Sequence, residues 1–379
     1  MNFLKLLCAA FVLPLFTSCF SGCDVYEGAS GGARRGELSI ATWNVQALFD
    51  GGDDGGEYDE YTPKNGWNKE KFEARCEVIG KAVSQIEGGG SDILALIEVE
   101  KREVLQELAE GTLKNQRYNY GFFAANAGFS LGIGILSRYP FTKTYSHSAN
   151  INGDRIPRPI AEVWLEPDGT PLVIFVCHWK SKLGGEDETE FIRRNAARVI
   201  LRRVKAIYNE NPDIPVLVLG DLNENVDEFY RSGSEKVCAL LPDDPAAAIK
   251  AGFALANTDT SDDDMLDENS LPQQDFLIIS GEKPPVSSFF AKAEGVFYSP
   301  WGTEMQNGSY YYGSEWETID HLLLSRGFFD KRGWEFKTAH VVDTEPFVNS
   351  KGEPNIYNPR SGSGVSDHLP LLLVLTHLF

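Results

Sequence analysis

Two polar residues directly follow a short apolar run in the middle of the chain. The run at 216–219 has four consecutive apolar residues and is bounded by Pro215 and Gly220, after which Asp221 and Asn223 appear. An uninterrupted apolar run between breakers is typical of a strand buried on both faces, and polar residues past its end lie at the rim of the sheet. Because side chains two apart in an extended chain point to the same side, Asp221 and Asn223 are expected to lie together. A carboxylate beside an amide suits a hard cation and a phosphate oxygen.

The same arrangement of polar residues at the ends of apolar runs recurs elsewhere in the chain. It is found at Asn44, Glu98, His178 and the pair Asp367 and His368. Each of these residues by itself is more often a cap or turn residue than a catalyst. Together they supply carboxylates for a divalent cation, amides to orient a phosphate and two histidines for proton transfer.

The set and its order resemble the endonuclease/exonuclease/phosphatase family, which has the fold of pancreatic-type deoxyribonuclease. The resemblance covers residues 38–379 and depends on the motifs Thr42-Trp-Asn44-Val-Gln46, Ile97-Glu98-Val99, His178-Trp-Lys-Ser-Lys182, Gly220-Asp221-Leu-Asn223, Ile319-Asp320-His321 and Ser366-Asp367-His368-Leu-Pro370. It implies an α/β fold, a four-layer α/β sandwich with two mixed, mainly antiparallel sheets packed face to face and helices outside. It also implies a cleft that binds Mg²⁺, or Mn²⁺ or Ca²⁺ in its place, and hydrolyses phosphate esters.

The resemblance also implies a role for each matching residue. The metal ligands would be Asn44, Glu98 and Asp367, although Ile97 stands where the family usually has a glutamine. The catalytic residues would be His178, Asp221, Asn223, Asp320 and His368. Asp320 is expected to be the carboxylate partner of His368, because such a partner fixes the tautomer of an imidazole and favours its protonated form.

Basic residues near these motifs are candidates for contact with the substrate phosphate. Lys180 and Lys182 would share a side with His178 if its strand continues through them, and Arg158 precedes the apolar run that starts at Ile160. Arg194 and Arg198, four residues apart on one predicted helix, are as consistent with ordinary surface charge as with phosphate contact.

Helices and strands must position these side chains. The two kinds of element alternate early in the chain, and strands predominate later. The spacing of apolar residues predicts helices at 69–87, 103–109 and 191–208, strands at 38–43, 92–97, 118–125, 131–137, 160–165, 172–177, 216–219, 319–324 and 369–375, and a hairpin turn at 167–170. The acidic segment 224–316 has no clear period. We expect one domain spanning 37–379, without internal repeats.

The N-terminus has the pattern of an export signal. Residues 1–23 contain one lysine, an apolar run and then small residues, which predicts a signal peptide with a possible lipobox. The lipidated residue would be Cys19 or Cys23, and a plain secreted protein is the alternative. Residues 24–36 are interpreted as a flexible tether. The cysteines further along, Cys76, Cys177 and Cys238, suggest neither a disulfide framework nor a zinc site and are predicted to lie in the core.

The composition restricts the choice of substrate without deciding it. The 379 residues carry a formal net charge of −20, the wrong sign for holding nucleic acid by bulk attraction, but a metal and a few local cations still allow a phosphate substrate. The leading hypothesis is a monomeric, metal-dependent endonuclease acting outside the cytoplasm, secreted or lipid-anchored to a bacterial envelope. Its alternatives are a phospholipid- or inositol-phosphate-directed phosphoesterase similar to a sphingomyelinase and, less favoured, a surface lipoprotein that binds without catalysis.

Overall fold

The structure, a computed structural model, describes residues 24–27, 36–86, 89–148, 150–151, 154–155, 158–253, 274–284, 290 and 293–378. The predicted signal peptide, both candidate lipidation cysteines and most of the expected tether therefore lie outside the described residues. So do residues 254–273 of the acidic segment. None of the helices within the described ranges is long and apolar enough to cross a membrane.

Strands dominate the described chain. They are β1 Asp24–Glu27, β2 Glu37–Leu48, β3 Ile93–Val99, β4 Tyr120–Ala124, β5 Gly132–Ser137, β6 Phe141–His147, β7 Asn150–Ile151, β8 Asp154–Arg155, β9 Ile160–Leu165, β10 Leu172–His178, β11 Val216–Asp221, β12 Leu240–Pro242, β13 Leu277–Ser280, β14 Val296–Tyr298, β15 Tyr310–Tyr312, β16 Glu315–Glu317, β17 Asp320–Leu324, β18 Gly333–Val341 and β19 Leu371–Leu378. The helices are α1 Lys69–Gln85, α2 Arg102–Glu110, α3 Glu186–Glu210, α4 Glu228–Arg231 and α5 Pro245–Lys250.

Most of these strands form two large mixed sheets. The first has the order β1-β4-β5-β3-β2-β19-β18, and the second has the order β12-β13-β14-β17-β11-β10-β9-β6. At the middle of each sheet one parallel pair is flanked by antiparallel neighbours: β2 with β3 in the first sheet and β10 with β11 in the second. The carboxyl ends of each parallel pair therefore meet at one edge of its sheet.

The sheets pack face to face through apolar side chains that alternate along the strands. On β11, Leu217 and Leu219 point into the cluster between the sheets, where they meet residues such as Ile40 of β2. Val216 and Val218, one position out of phase, point to the opposite face and pack under α3. This period of two follows from strand geometry and explains why the run has no polar residue.

Helices cover both outer faces and complete a four-layer sandwich. Helix α1 begins after Asn68, whose side chain accepts a hydrogen bond from the Lys71 N–H at 3.0 Å, and it buries Phe72 and Ile79 against the first sheet. Helix α3 buries Ala197, Ile200 and Val204 against the second sheet. The predicted α/β sandwich of two mixed sheets with helices outside is confirmed.

Three local expectations were incomplete. Strand β18 was not predicted, because its half-exposed, charge-interrupted sequence lacks a continuous apolar run. Residues Asp24–Glu27 lie within the expected tether, yet they pair with β4 and extend the sheet, since an edge strand offers free backbone groups. Strand β10 ends at His178, so the condition under which Lys180 and Lys182 would share a side with His178 is not met. The predicted burial of Cys76, Cys177 and Cys238 is confirmed.

Candidate active site

The polar residues singled out in the sequence converge at one end of the two sheets. Their positions are Asn44 on β2, Glu98 on β3, His178 and Asp221 at the last positions of β10 and β11, Asp320 at the first position of β17, and His368 shortly before β19. Register explains the grouping in the second sheet, because Asp221 pairs with both His178 and Asp320 across the strands. In the first sheet, β19 runs antiparallel to β2 and starts opposite Thr42, which brings His368 beside Asn44.

Two adjacent β-bulges position Asn44 and Glu98, two of the residues predicted to bind the metal. The register of β2 shifts after Asn44, with Gln46 and Ala47 at positive φ, and the register of β3 shifts at Glu98, which has a φ of 71°. Non-glycine residues rarely adopt this conformation, and it tends to occur at functional sites. As a result the Ala47 N–H donates to Glu98 Oε2 at 2.9 Å, and the Asn44 side chain hydrogen-bonds to Glu98 as well.

A hydrogen bond between the sheets connects the two groups of residues. The Asn44 amide donates to Asp221 Oδ2 at 3.1 Å, while Asp221 Oδ1 accepts from the Asn223 N–H at 3.0 Å. The glycine before Asp221 is required by space, because a Cβ at Gly220 (φ +120°) would lie 2.1 Å from the Cys177 carbonyl oxygen. The Gly-Asp-x-Asn sequence thus allows β11 to approach β10 closely while it presents a fixed carboxylate.

The two histidines of the site have opposite surroundings. His368 donates from Nδ1 to Asp320 Oδ2 at 2.8 Å, and the same carboxylate oxygen accepts from Ser309 Oγ at 2.6 Å. Nε2 of His178 instead lies 3.5 Å from Asp221 Oδ2 and 3.7 Å from Glu98 Oε1. The expected pairing of Asp320 with His368 is therefore present in the fold, and His178 lies between two carboxylates.

These surroundings separate the protonation states of the two histidines. Burial opposes a charge on His368, but the Asp320 carboxylate outweighs burial and raises the pKa of His368 to about 10. Burial, together with the positive charges of Arg158 and His368, lowers the pKa of His178 well below its ordinary value. At neutral pH the site therefore holds one protonated and one neutral imidazole, the kind of division that assigns acid and base roles.

The pKa values of two carboxyl groups in the site are raised above their ordinary values. Burial, reinforced by the charge of Asp320, raises the pKa of Asp221 to about 7. Burial also raises the pKa of Glu98, although the positive charge of Arg158 opposes the shift. The site is thus a buried region with too little positive charge, where a cation would stabilise the ionised carboxylates.

The residues present fit a divalent cation. Oδ1 of Asp367 is buried and has no hydrogen-bond partner among the described residues, and its charge acts on Glu98. Atoms of Asp221, Asp320 and His368 also lie within 4.8 Å of one another, but a protonated His368 held by Asp320 is a poor metal ligand. We therefore favour Glu98 with Asn44 and Asp367 as the ligand group, a set of hard oxygen donors of the kind that Mg²⁺ prefers.

The predicted phosphate-binding cations divide into two groups. Arg158 lies near the site, where it donates to the Trp179 carbonyl at 2.7 Å and its charge acts on Glu98, Asp221 and His178. The ammonium of Lys180 donates to the carbonyls of Ser181 and Leu183 instead. Lys182 pairs with the buried Glu228 at 2.5 Å, so the structure does not bring it to the carboxylate cluster.

The two helical arginines that were left undecided are also engaged elsewhere. Arg194 and Arg198 both pair with Asp275, at 2.6 and 2.9 Å. These contacts favour the interpretation as ordinary charge over phosphate contact.

Sequence reasoning missed three residues beside the site. Arg193 is fully buried, pairs with Glu224 and donates to the Lys180 carbonyl at 3.2 Å, so it connects the loops that follow β10 and β11. Tyr310 packs against His368 with ring centroids 4.6 Å apart, and Glu98 and Arg158 both act on the pKa of Tyr58. Arg193 gave a usable signal, since it lies on the apolar face of α3. Tyr310 also gave a signal, because it begins a run of three tyrosines at 310–312, whereas Tyr58 gave none.

The comparisons with known proteins agree with this architecture. A sequence model of the Endonuclease/Exonuclease/phosphatase family matches residues 39–245. The chain therefore belongs to the endonuclease/exonuclease/phosphatase family, whose members are hydrolases acting on phosphoester bonds. None of the curated proteins matches the chain.

Solved structures are similar to this chain at low sequence identity. A humanized D. rerio TDP2 with 14 mutations is 14% identical over 90% of this chain and 99% of its own, with a TM-score of 0.50. A Bacteroides thetaiotaomicron member of the family is 14% identical over 90% and 98%, with a TM-score of 0.48. The human Nocturnin catalytic domain with bound sulfate is 15% identical over 94% and 97%, with a TM-score of 0.47.

Proposed function

We propose that this protein is a divalent-metal-dependent phosphodiesterase that acts on nucleic acid outside the cytoplasm. The observation that carries the proposal is geometric: in one buried cluster His368 donates to Asp320 at 2.8 Å, and the Asn44 amide and the Asn223 N–H hold the Asp221 carboxylate at 3.1 and 3.0 Å. In these surroundings Asp320 raises the pKa of His368 to about 10, and burial raises the pKa of Asp221 to about 7. An acid and a base with separated pKa values are what hydrolysis of a phosphodiester requires.

The residues suggest how the bond is broken. A water molecule forms the new P–O bond as its proton passes to Asp221, whose pKa near 7 suits a general base. The P–O bond to the leaving oxygen breaks on the opposite side, and the imidazolium of His368 supplies the proton that this oxygen takes up. Asn223, whose backbone N–H bonds to Asp221, keeps that carboxylate oriented.

The metal would be held by Glu98, Asn44 and Asp367 and would neutralise the charge that develops on the phosphate. Arg158 would contribute a second positive charge near the phosphate, because its charge already acts on Glu98 and Asp221. Neutral His178, between these two carboxylates, is suited to donate a hydrogen bond and not to carry charge.

A substrate panel tests the proposal. Purified protein is offered single-stranded and plasmid DNA, RNA, sphingomyelin and inositol phosphates with Mg²⁺, Mn²⁺ or Ca²⁺, with and without chelator. We expect cleavage of nucleic acid that chelator abolishes and added metal restores. Cleavage of the lipid or the inositol phosphates alone would overturn the choice of substrate, and activity that survives chelation would overturn the metal dependence.

Metal binding can be measured without turnover. Mg²⁺ or Mn²⁺ at about 100 times its dissociation constant should stabilise the folded protein by about 2.7 kcal/mol, and Glu98→Gln should lose most of this effect. Arg194→Ala is the matched control, since Arg194 pairs with Asp275 away from the cluster, and it should keep the metal-induced rise in Tm.

The extracytoplasmic location and the lipid anchor are separate proposals, supported by the sequence pattern at 1–23. Metabolic labelling with palmitate in a bacterial host should mark the full-length chain. Substitution of the acceptor cysteine, Cys19 or Cys23, by Ala should abolish the label, and the same substitution of the other cysteine should leave the label in place. A chain that stays in the cytoplasm unlabelled and uncleaved contradicts both proposals.

A further inference from the structure

A short aromatic hairpin lies next to His368. We call residues 310–317, which comprise β15, β16 and the turn between them, the tyrosine hairpin. The turn residues Gly313 and Ser314 have φ values of 60° and 71°, the left-handed pair of angles that reverses a two-residue hairpin tightly. A backbone bridge also joins Tyr310 to His368. The hairpin is therefore fixed relative to the proposed site.

The two faces of the tyrosine hairpin differ in burial. Tyr311 and Trp316 are cross-strand neighbours whose ring centroids lie 5.2 Å apart, and Trp316 packs against an apolar core cluster. Because side chains alternate along a strand, Tyr310 and Tyr312 point to the other face. One face thus packs on the core through Trp316, and the other carries the half-buried Tyr310 and the exposed Tyr312.

These two tyrosines continue a row of rings from the site to solvent. The ring of Tyr310 lies 4.6 Å from the ring of His368, and the ring of Tyr312 lies 6.3 Å from that of Tyr310 with their planes only 13° apart. Tyr312 is 69% exposed, so the row ends in solvent, where a ligand can reach the ring. Because Tyr310 packs against His368, the row starts at one of the proposed catalytic residues.

We infer that Tyr310 and Tyr312 bind an unpaired nucleobase of the substrate next to the phosphate that is cleaved. The inference rests on the proposed function and narrows its substrate class to single-stranded nucleic acid or a frayed end. Successive bases stack on exposed aromatic side chains in proteins that hold single strands, with little dependence on sequence. A base inside a duplex is covered by its neighbours and cannot use such a platform.

The charges around the hairpin favour a base over a phosphate or a membrane. Glu315 and Glu317 are the cross-strand partners of Tyr312 and Tyr310, so two carboxylates flank the rings. They repel phosphate groups and anionic lipid, while the uncharged face of a base is unaffected. A hairpin that enters a bilayer carries an apolar tip, whereas the tip here is Gly313-Ser314-Glu315.

A pair of short single-stranded oligonucleotides tests the inference. Each contains a single cleavable phosphodiester among uncharged linkages, and the two differ in whether the residue beside that phosphodiester carries a base or is abasic. Wild-type protein should prefer the base-bearing oligonucleotide. In Tyr312→Ala the preference, measured as the ratio of kcat/KM values, should fall about 10- to 100-fold, and Tyr312→Phe should retain it. Tyr145→Ala, which removes a 41% exposed tyrosine of β6, should leave the ratio unchanged.

The remaining outcomes separate the inference from the function on which it rests. If wild-type protein cleaves both oligonucleotides and Tyr312→Ala keeps the ratio, the inference is overturned and the proposed function stands. If Tyr312→Ala instead loses binding to phosphatidylcholine and sphingomyelin vesicles while the ratio is kept, the hairpin is a membrane element. If wild-type protein cleaves neither oligonucleotide with any metal, the proposed function fails, and the inference with it.

Discussion

Two buried clusters of this protein each contain a carboxylate and a histidine. They differ in how many hydrogen-bond donors and positive charges surround the carboxylate. Glu162 on β9 accepts hydrogen bonds from His147, Trp164 and Arg203, at distances of 2.7 to 2.8 Å. Burial alone would raise its pKa, but these donors lower the pKa of Glu162 to about 2. In the candidate active site, burial and Asp320 raise the pKa of Asp221 to about 7.

The difference indicates that the Glu162 cluster stabilises the fold and that the Asp221 cluster is suited to catalysis. A carboxylate surrounded by donors gains from being ionised and holds its elements together. A carboxylate left short of positive charge costs free energy, and folds retain such groups where a ligand supplies the missing charge. The two clusters should therefore respond in opposite ways to the same kind of substitution.

The largest effect is expected from Asp221→Asn. It removes the proposed base, so kcat should fall about 10²- to 10⁴-fold. Stability at pH 8 should not fall, because the pKa of Asp221 in the folded state, about 7, exceeds its ordinary value of 3.8, and ionisation therefore weakens the folded state as pH rises between the two. Steady-state kinetics and thermal melts at pH 8 measure both. A variant with full activity would show that Asp221 is not the base.

Glu162→Gln should show the reverse pattern. Removing one partner from the network leaves Arg203 and His147 without their carboxylate, and we expect a loss of about 3 kcal/mol in the free energy of unfolding. In wild-type protein this contribution is present above pH 4.5 and disappears as pH falls toward about 2, since the folded pKa is the lower one. Urea unfolding at pH 7 measures the loss. A fall in kcat of the folded protein comparable to that of Asp221→Asn would contradict the comparison.

Asp320→Asn should change the pH dependence of activity. Without the carboxylate, the pKa of His368 should fall from about 10 toward its ordinary value of 6.5. The alkaline limb of the kcat profile should therefore move to lower pH, because the imidazolium is lost earlier. In wild-type protein the stability from this pair is complete below pH 6.5 and is lost as pH rises through about 10. Glu162→Gln is the control and should leave the alkaline limb in place.

The smallest effect is expected from Arg194→Ala. Arg194 and Arg198 share Asp275 at the partly exposed face of α3, and such pairs contribute about 0 to 1 kcal/mol. We expect kcat/KM to change by less than about twofold and the free energy of unfolding by less than about 1 kcal/mol. A tenfold loss of kcat/KM with nucleic acid would revive the phosphate-contact interpretation.

Much of the fold could be predicted from periodicity. The runs 172–177 and 216–219 have no polar interruption and correspond to the central strands β10 and β11. Strand β18 was missed because a half-exposed strand has no continuous apolar signal. The short strands and helices between Glu228 and Tyr312 depend on contacts with the rest of the molecule, and local propensity does not show those contacts.

What the sequence by itself determined is the list of chemical groups at the ends of the strands. Asn44, Glu98, Asp221 and His368 could be named because polar residues that adjoin an apolar run mark where a buried strand ends or, as at Asn44 and Glu98, where its register breaks. The tertiary structure alone decided what each group experiences. It paired Lys182 with Glu228, placed Tyr310 on His368, and separated the pKa values of His178 and His368. These properties arise from burial and from charges distant in the chain, and burial and distance exist only after the sheets have packed.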